Sequence, residues 1–202
     1  MAVLEMMRED GVLAVVLPEA RRLDRLRQLI EIEPEPDPLR RLAALVEVDR
    51  AGAATLAARL RFSNAWRDRL AGLAPPWRLD PQGDIRAQRR ALYRLGAERY
   101  RDLALLLGAE GRTSRSRLTE LLDLSRDWTS PSFPLAGHDV TALGIPPGAR
   151  VGELLAAVRD WWEEGDFTAD RAACLTHLRE LAIGASPSRQ GSPCPSDYPK
   201  DV

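Results

Sequence analysis

Arg86, Arg89, Arg90, Arg94 and Arg101 crowd one short stretch of the chain. On a helix advancing about 100° per residue, Arg86, Arg90, Arg94 and Arg101 fall within about one quarter of the circumference, with Arg89 beside them. Ile85, Leu92, Leu95, Leu103 and Leu106 take the opposite side. A ridge of guanidinium groups is what tracking a phosphate backbone requires, because arginine is always charged and its planar fork matches phosphate oxygens. Arg112, Arg115 and Arg117 carry the same charge into the next segment. An ordinary solvated helix face would use the same residues, although five arginines with few acids between them exceed what solubility needs.

A second candidate lies in residues 133–155, where Gly144, Pro147, Gly148 and Gly152 punctuate a loop and a helix start. There the amides of Ala149, Arg150, Val151 and Gly152 lack intrahelical partners and, with the Arg150 side chain, could hold a backbone phosphate. Gly152 could equally admit a close helix contact. Asp139, two residues after Gly137, reads as the N-cap of a short helix through Leu143 or as an acid in a site; aspartates at such turns are usually caps. His138 and His177 have no carboxylate or cysteine at catalytic spacing and read as structural or solvated. Trp161 and Trp162 are adjacent, so only one of them can fully face a core. The chain has no GxxxxGK loop, no GxGxxG, HExxH or GxSxG, and no Asp-x-Asp pair of the kind that holds two metals. No catalytic residue and no metal ligand are assigned.

Net charge is −1 over 202 residues, but it is unevenly spread. Residues 59–117 hold fourteen basic residues against six acids, while residues 1–58 hold eight against eleven and residues 118–202 seven against thirteen. A basic middle between acidic ends points to a local surface for a polyanion. Lys200 is the one lysine. Cys174 and Cys194 have neither zinc nor disulfide spacing, which fits a reducing cytoplasm. Acids at Glu5, Glu9 and Asp10 argue against a secretory leader, and the apolar run 11–17 is too short to span a bilayer, so no membrane association is expected.

Helical periodicity dominates the rest. Helices are predicted over 1–8, 21–32, 38–46, 53–60, 63–73, 84–107, 114–128, 151–162 and from Thr168, a candidate cap, through Leu181. Asp37-Pro38 is a cap followed by a first-turn proline, and Ser63 caps its helix. The 84–107 segment allows a break at Gly96. No run alternates with β-branched enrichment. The prediction is an all-α fold: a helical region with a basic face over 1–110, a second over 111–183 carrying the Pro-Gly motif, and a Ser/Pro/Gly-rich tail over 184–202 that should be disordered.

Residues 133–155 resemble the C-terminal region of bacterial class II CCA-adding tRNA nucleotidyltransferases, within the poly(A) polymerase-like family. Leu135, Gly137, Asp139, Val140, Gly144, Pro147, Gly148, Val151, Gly152 and Leu155 carry the likeness: Gly-x-Asp-aliphatic, a spacer, then Gly-x-x-Pro-Gly-x-x-aliphatic-Gly. Met6-Met7-Arg8, Gly11-Val12-Leu13 and Leu17-Pro18-Glu19 are similar to a helix and turn of the family's body, and Trp161-Trp162 with Asp166-Phe167 to its bacterial branch. Ala149 stands where the family often has a second proline. The resemblance implies a multi-helix orthogonal bundle like the family's body and tail. It implies tRNA as partner, with Arg86, Arg89, Arg90, Arg94, Arg101, Arg112, Arg115 and Arg150 as the RNA-binding candidates. The family's catalytic head, with its metal-binding Asp-x-Asp, uses Mg2+ and CTP or ATP. This chain lacks that motif, so no cofactor is expected on it and no activity from it alone; a separate head chain would be a second partner. The alternatives are a helical scaffold or dimerisation module, or one subunit of a split nucleotidyltransferase.

Overall fold

Six helices begin where a side chain accepts from an otherwise bare amide, the last of them at Asp170, which accepts from Ala173. Asp37 accepts from the N–H of Arg40, Asp49 from Gly52, Ser63 from Trp66, Asp84 from Ala87 and Ser114 from Arg117. The computed structural model describes residues 1–184. Among them the chain is all-α, twelve helices with no strand and a lone bridge between Ala20 and Val46. The predicted disordered tail lies, after its first residue, outside the described residues.

The chain divides into two compact units, the first Met1–Pro131 and the second starting at Ser132. The first holds α1 (Ala2–Glu9), α2 (Val12–Val16), α3 (Leu23–Ile32), α4 (Pro38–Leu45), α5 (Arg50–Arg59), α6 (Asn64–Leu73), α7 (Ile85–Leu95), α8 (Ala97–Ala109) and α9 (Arg115–Asp127). The second holds α10 (Gly137–Thr141), α11 (Ala149–Glu164) and α12 (Arg171–Gly184).

Helix α8 is the axis of the first unit and packs against α3, α4, α6, α7 and α9. Its run Leu103 to Leu107 is buried on every side, the pattern of a helix enclosed by others. A Cβ on Gly108 would come within 2.9 Å of Leu118 Cδ2 and 3.0 Å of Ile32 Cδ1, so α9 and α3 approach α8 where a side chain is missing. In the second unit Leu154, Val158 and Trp162 of α11 are buried with Cys174 and Leu178 of α12. Trp162 makes edge contacts with Phe133 and Phe167, at 5.4 and 5.0 Å between ring centroids, and donates to the Ala169 carbonyl. Its neighbour Trp161 stacks on His177 at 4.4 Å.

Some boundaries differ from the sequence expectation. Helix α5 starts at Arg50 rather than 53, because Asp49 supplies the cap. The 84–107 segment does break at Gly96, whose φ of 78° and ψ of 157° suit glycine. Thr168 does not cap the last helix; its hydroxyl donates to the Gly165 carbonyl, and Asp170 accepts the Ala173 N–H instead. No helix among the described residues is long and apolar enough to cross a membrane.

Candidate nucleic-acid interface

Gln88 orients α7. Buried beside Leu92, it accepts from the Tyr100 hydroxyl at 2.7 Å and donates to the carbonyls of Asp80 and Gly83. This fixes α7 against α8 and against the turn that leads into it, and burial pushes the Tyr100 phenol up from its ordinary range. The row on the other face is turned outward: Arg86 and Arg94 are exposed, Arg89 and Arg90 half-buried. Ile85, expected on the apolar side, is 51% exposed at the start of the helix.

The start of α9 is tied to the same turn. Arg117 donates from Nε to Pro81 O at 3.0 Å and from Nη2 to Gly83 O at 2.6 Å, and Gln82 Nε2 donates to Arg112 O at 3.3 Å. The first turns of α7 and α9 are thereby tied to one loop, with Arg112 bonded to it and Arg86 three residues beyond it, while Arg115 stands about 200° round α9 from Arg117. Neither first turn contains an acid. Cations at the positive end of a helix dipole are unfavourable unless an anion joins them; Asp84 supplies a carboxylate at the start of α7, whereas α9 starts at the neutral Ser114. Among the described residues, the side chains of Arg86, Arg90, Arg101, Arg112 and Arg115 have no hydrogen-bond or ion-pair partner.

Arg101 departs from the single-wheel expectation. It follows the break at Gly96, which resets the helix phase, and lines a cavity of about 500 Å³ with Glu35, Glu98 and Arg126. The row therefore ends at Arg94.

In the second unit Gly144, Pro147, Gly148, Arg150 and Gly152 are exposed and Gly137 is half-buried. Gly148 is the N-cap of α11 at φ 156°, ψ −169°, with no side-chain acceptor for the amides beyond it. Arg150 pairs with Glu153 at 3.1 Å. A Cβ on Gly152 would meet nothing within 4 Å, so the close helix contact considered for this glycine is absent among the described residues.

Asp139 is not an N-cap but the third residue of α10. It accepts the Ala136 N–H at 2.8 Å and the Arg171 guanidinium, tying α10 to the first turn of α12. The Ala136 N–H first, then Arg171, hold its carboxyl below the usual aspartate range, against the opposing effect of burial. A lowered folded value means that this stabilisation is complete above the unfolded value of about 4 and is lost as pH falls through the folded one. Hydrogen-exchange protection of α10–α12 should therefore differ between wild type and Asp139→Asn at pH 7, and the difference should narrow progressively below about pH 4.

Sequence reasoning missed three further charges, Arg50, Arg78 and Arg99, which line one cavity. They come from α5, a loop and α8, so no spacing rule links them; the legible signal was Arg50, a cation just after its own cap. Among the described residues no three His, Cys, Asp or Glu side chains group as metal ligands.

The described residues thus form an all-α chain in two units, with arginines gathered where α7 and α9 begin. Set beside known proteins, the chain is 34% identical over 61 residues to the mitochondrial CCA tRNA nucleotidyltransferase 1 of Danio rerio. It is 30% identical over 60 residues to the proteins of that name from Mus musculus and Homo sapiens. Each match takes in 30% of this chain and spans 14% of the relative's length. No family model matches the chain.

Proposed function

We propose that this chain is the tRNA-binding, C-terminal part of a CCA tRNA nucleotidyltransferase of the bacterial class II branch in the poly(A) polymerase-like family. It would act in the cytoplasm on the 3′ end of tRNA. The observation that carries the reading is the set of unpartnered arginines where α7 and α9 begin, which the partial similarity to CCA tRNA nucleotidyltransferases supports. Arg86, Arg90, Arg112 and Arg115 contact phosphates, Arg89 and Arg94 extend the row, and Arg101 and Arg150 add separate contacts. The sequence contains no Asp-x-Asp pair; nucleotide transfer is the work of a head domain not contained in these residues, and this part grips the RNA.

The test is a tRNA titration across salt concentrations. Arg86→Glu with Arg90→Glu should weaken binding about 100-fold at low salt and flatten the log–log salt dependence by roughly 1 for each phosphate no longer neutralised. Neither side chain has a partner among the described residues, so the helical circular dichroism should be unchanged. Equal affinity for wild type and variant would overturn the reading. A protein-contact role is favoured by one feature, the exposed apolar side chains of Val3, Met6, Val12, Val15 and Val16 on α1 and α2. It predicts that outcome, with association lost on changing Val15 and Val16 to serine.

A further inference from the structure

We infer that Arg50, Arg78 and Arg99 form a discrete site for a phosphate group carrying two negative charges. The three guanidinium-bearing residues line one cavity of about 210 Å³, and no acidic residue lines it. At about 30 Å³ of liquid volume per water, there is room for a phosphate group and several waters. The remaining wall is apolar, including Pro76 and Leu103, which lowers the local dielectric and strengthens attraction to an anion.

The site is held by its own architecture. Arg99 reaches from α8 to the backbone of α6, donating to the Gly72 carbonyl from Nη2 at 2.9 Å and from Nε at 3.2 Å. A Cβ on Gly72 would lie 2.7 Å from that guanidinium, so the missing side chain is what lets Arg99 lie there. Arg50 stands in the first turn of α5, which has no acid, and its neighbour Asp49 is occupied in accepting the Gly52 N–H at 2.7 Å. Burial first, then the charges of Arg50 and Arg78, hold Arg99 below its ordinary value, as expected of like charges gathered without a counter-ion. A lone carboxylate or a phosphodiester would offset only one of the three charges, whereas a phosphate monoester carries about −1.5 to −2 at neutral pH.

Isothermal titration with inorganic phosphate and with pyrophosphate, in a low-chloride zwitterionic buffer, tests the site. Wild type should bind saturably. Arg99→Gln and Arg78→Gln should each weaken binding about tenfold or more, the effect of losing a charge-assisted hydrogen bond. Gly72→Ala should do the same by displacing Arg99 while the fold persists, because the displaced atoms are the end of a flexible side chain. Binding equal in wild type, Arg78→Gln and Arg99→Gln would mean an adventitious ion only and overturn the proposal, as would no binding at all. A comparison of tRNA with and without its 5′ phosphate then distinguishes the source. A preference for the 5′-phosphorylated form, lost in Arg99→Gln, assigns the site to an RNA end; no preference, with phosphate still bound, assigns it to a free phosphate ligand. Failure here leaves the tRNA reading intact, since Arg86 and Arg90 are outside this cavity, and their double variant should bind phosphate like wild type.

Discussion

Asp102→Asn is expected to lower the unfolding free energy by about 3–5 kcal/mol, the cost of removing one partner from a buried charge network. Asp102 is fully buried on α8 and joins two cations: Arg40 Nη1 donates to Oδ1 at 2.9 Å, and Arg69 Nη2 to Oδ2 at 2.7 Å. Around this centre, Glu33 accepts from Arg40 and Arg41, and Asp37 lies 3.0 Å from Arg69. Glu98, largely exposed, lies 3.3 Å from Arg69 as well, so three arginines meet four carboxylates contributed by α8, the end of α3 and the cap of α4. Asparagine preserves the shape but removes the one buried charge that Arg40 and Arg69 share, and turns an N–H group towards guanidinium donors. Against a typical total stability of about 5–15 kcal/mol, that is a large fraction. Urea unfolding at pH 7 measures it, and added salt should change the difference little because Asp102 and Arg40 are shielded from solvent. A loss below about 1 kcal/mol would mean that Glu33, Asp37 and Glu98 suffice to neutralise Arg40 and Arg69. Arg40→Met combined with Asp102→Leu should recover part of the stability, since the two buried charges leave together while Glu33 keeps Arg41 and Arg69 keeps Asp37.

The network shows what the sequence does and does not disclose. Helix starts were legible where a short acceptor precedes the first turn, as at Asp37, Ser63, Asp84 and Ser114, because capping is local chemistry. The break at Gly96 was legible for the same reason. Helix α2 was not: its five residues, Val12–Val16, are too few for a period, and only Leu13 is buried. Buried arginines were invisible in kind, since nothing in the spacing of Arg25 and Arg40 discloses their partners on other elements. The candidate interface divides in the same way. The row Arg86, Arg90 and Arg94 follows from helical spacing, whereas its junction with Arg112 depends on Arg117 and Gln82 reaching backbone carbonyls across the fold. Arg101 was misplaced because one helical wheel was carried across a glycine that ends the helix. Arg50, Arg78 and Arg99 meet only through tertiary packing.

Arg25→Met should cost about as much as Asp102→Asn, for a different reason. Helix α4 ends inside the first unit, and its last carbonyls need donors that the helix cannot provide. Arg25, on α3 and 5% exposed, supplies them: Nε donates to Ala44 O at 2.7 Å, and Nη2 to Ala43 O at 2.8 Å and Val46 O at 2.6 Å. Nη1 donates to Glu110 at 2.8 Å. The guanidinium is therefore a cap delivered from another helix, and its charge also suits the negative end of the α4 dipole. Methionine fills similar volume but leaves three carbonyls without this donor and deprives Glu110 of its closer cation. Each buried group stranded in this way costs about 1–3 kcal/mol, so a total near 3–5 kcal/mol is expected after partial relaxation. Lysine is the sharper test. It keeps the charge and the stem, but its point-like ammonium cannot reproduce a fork spanning three carbonyls and a carboxylate. Urea unfolding should place Arg25→Lys well below wild type and nearer to Arg25→Met; wild-type stability in the lysine variant would mean that charge alone, and not the planar fork, secures the end of α4.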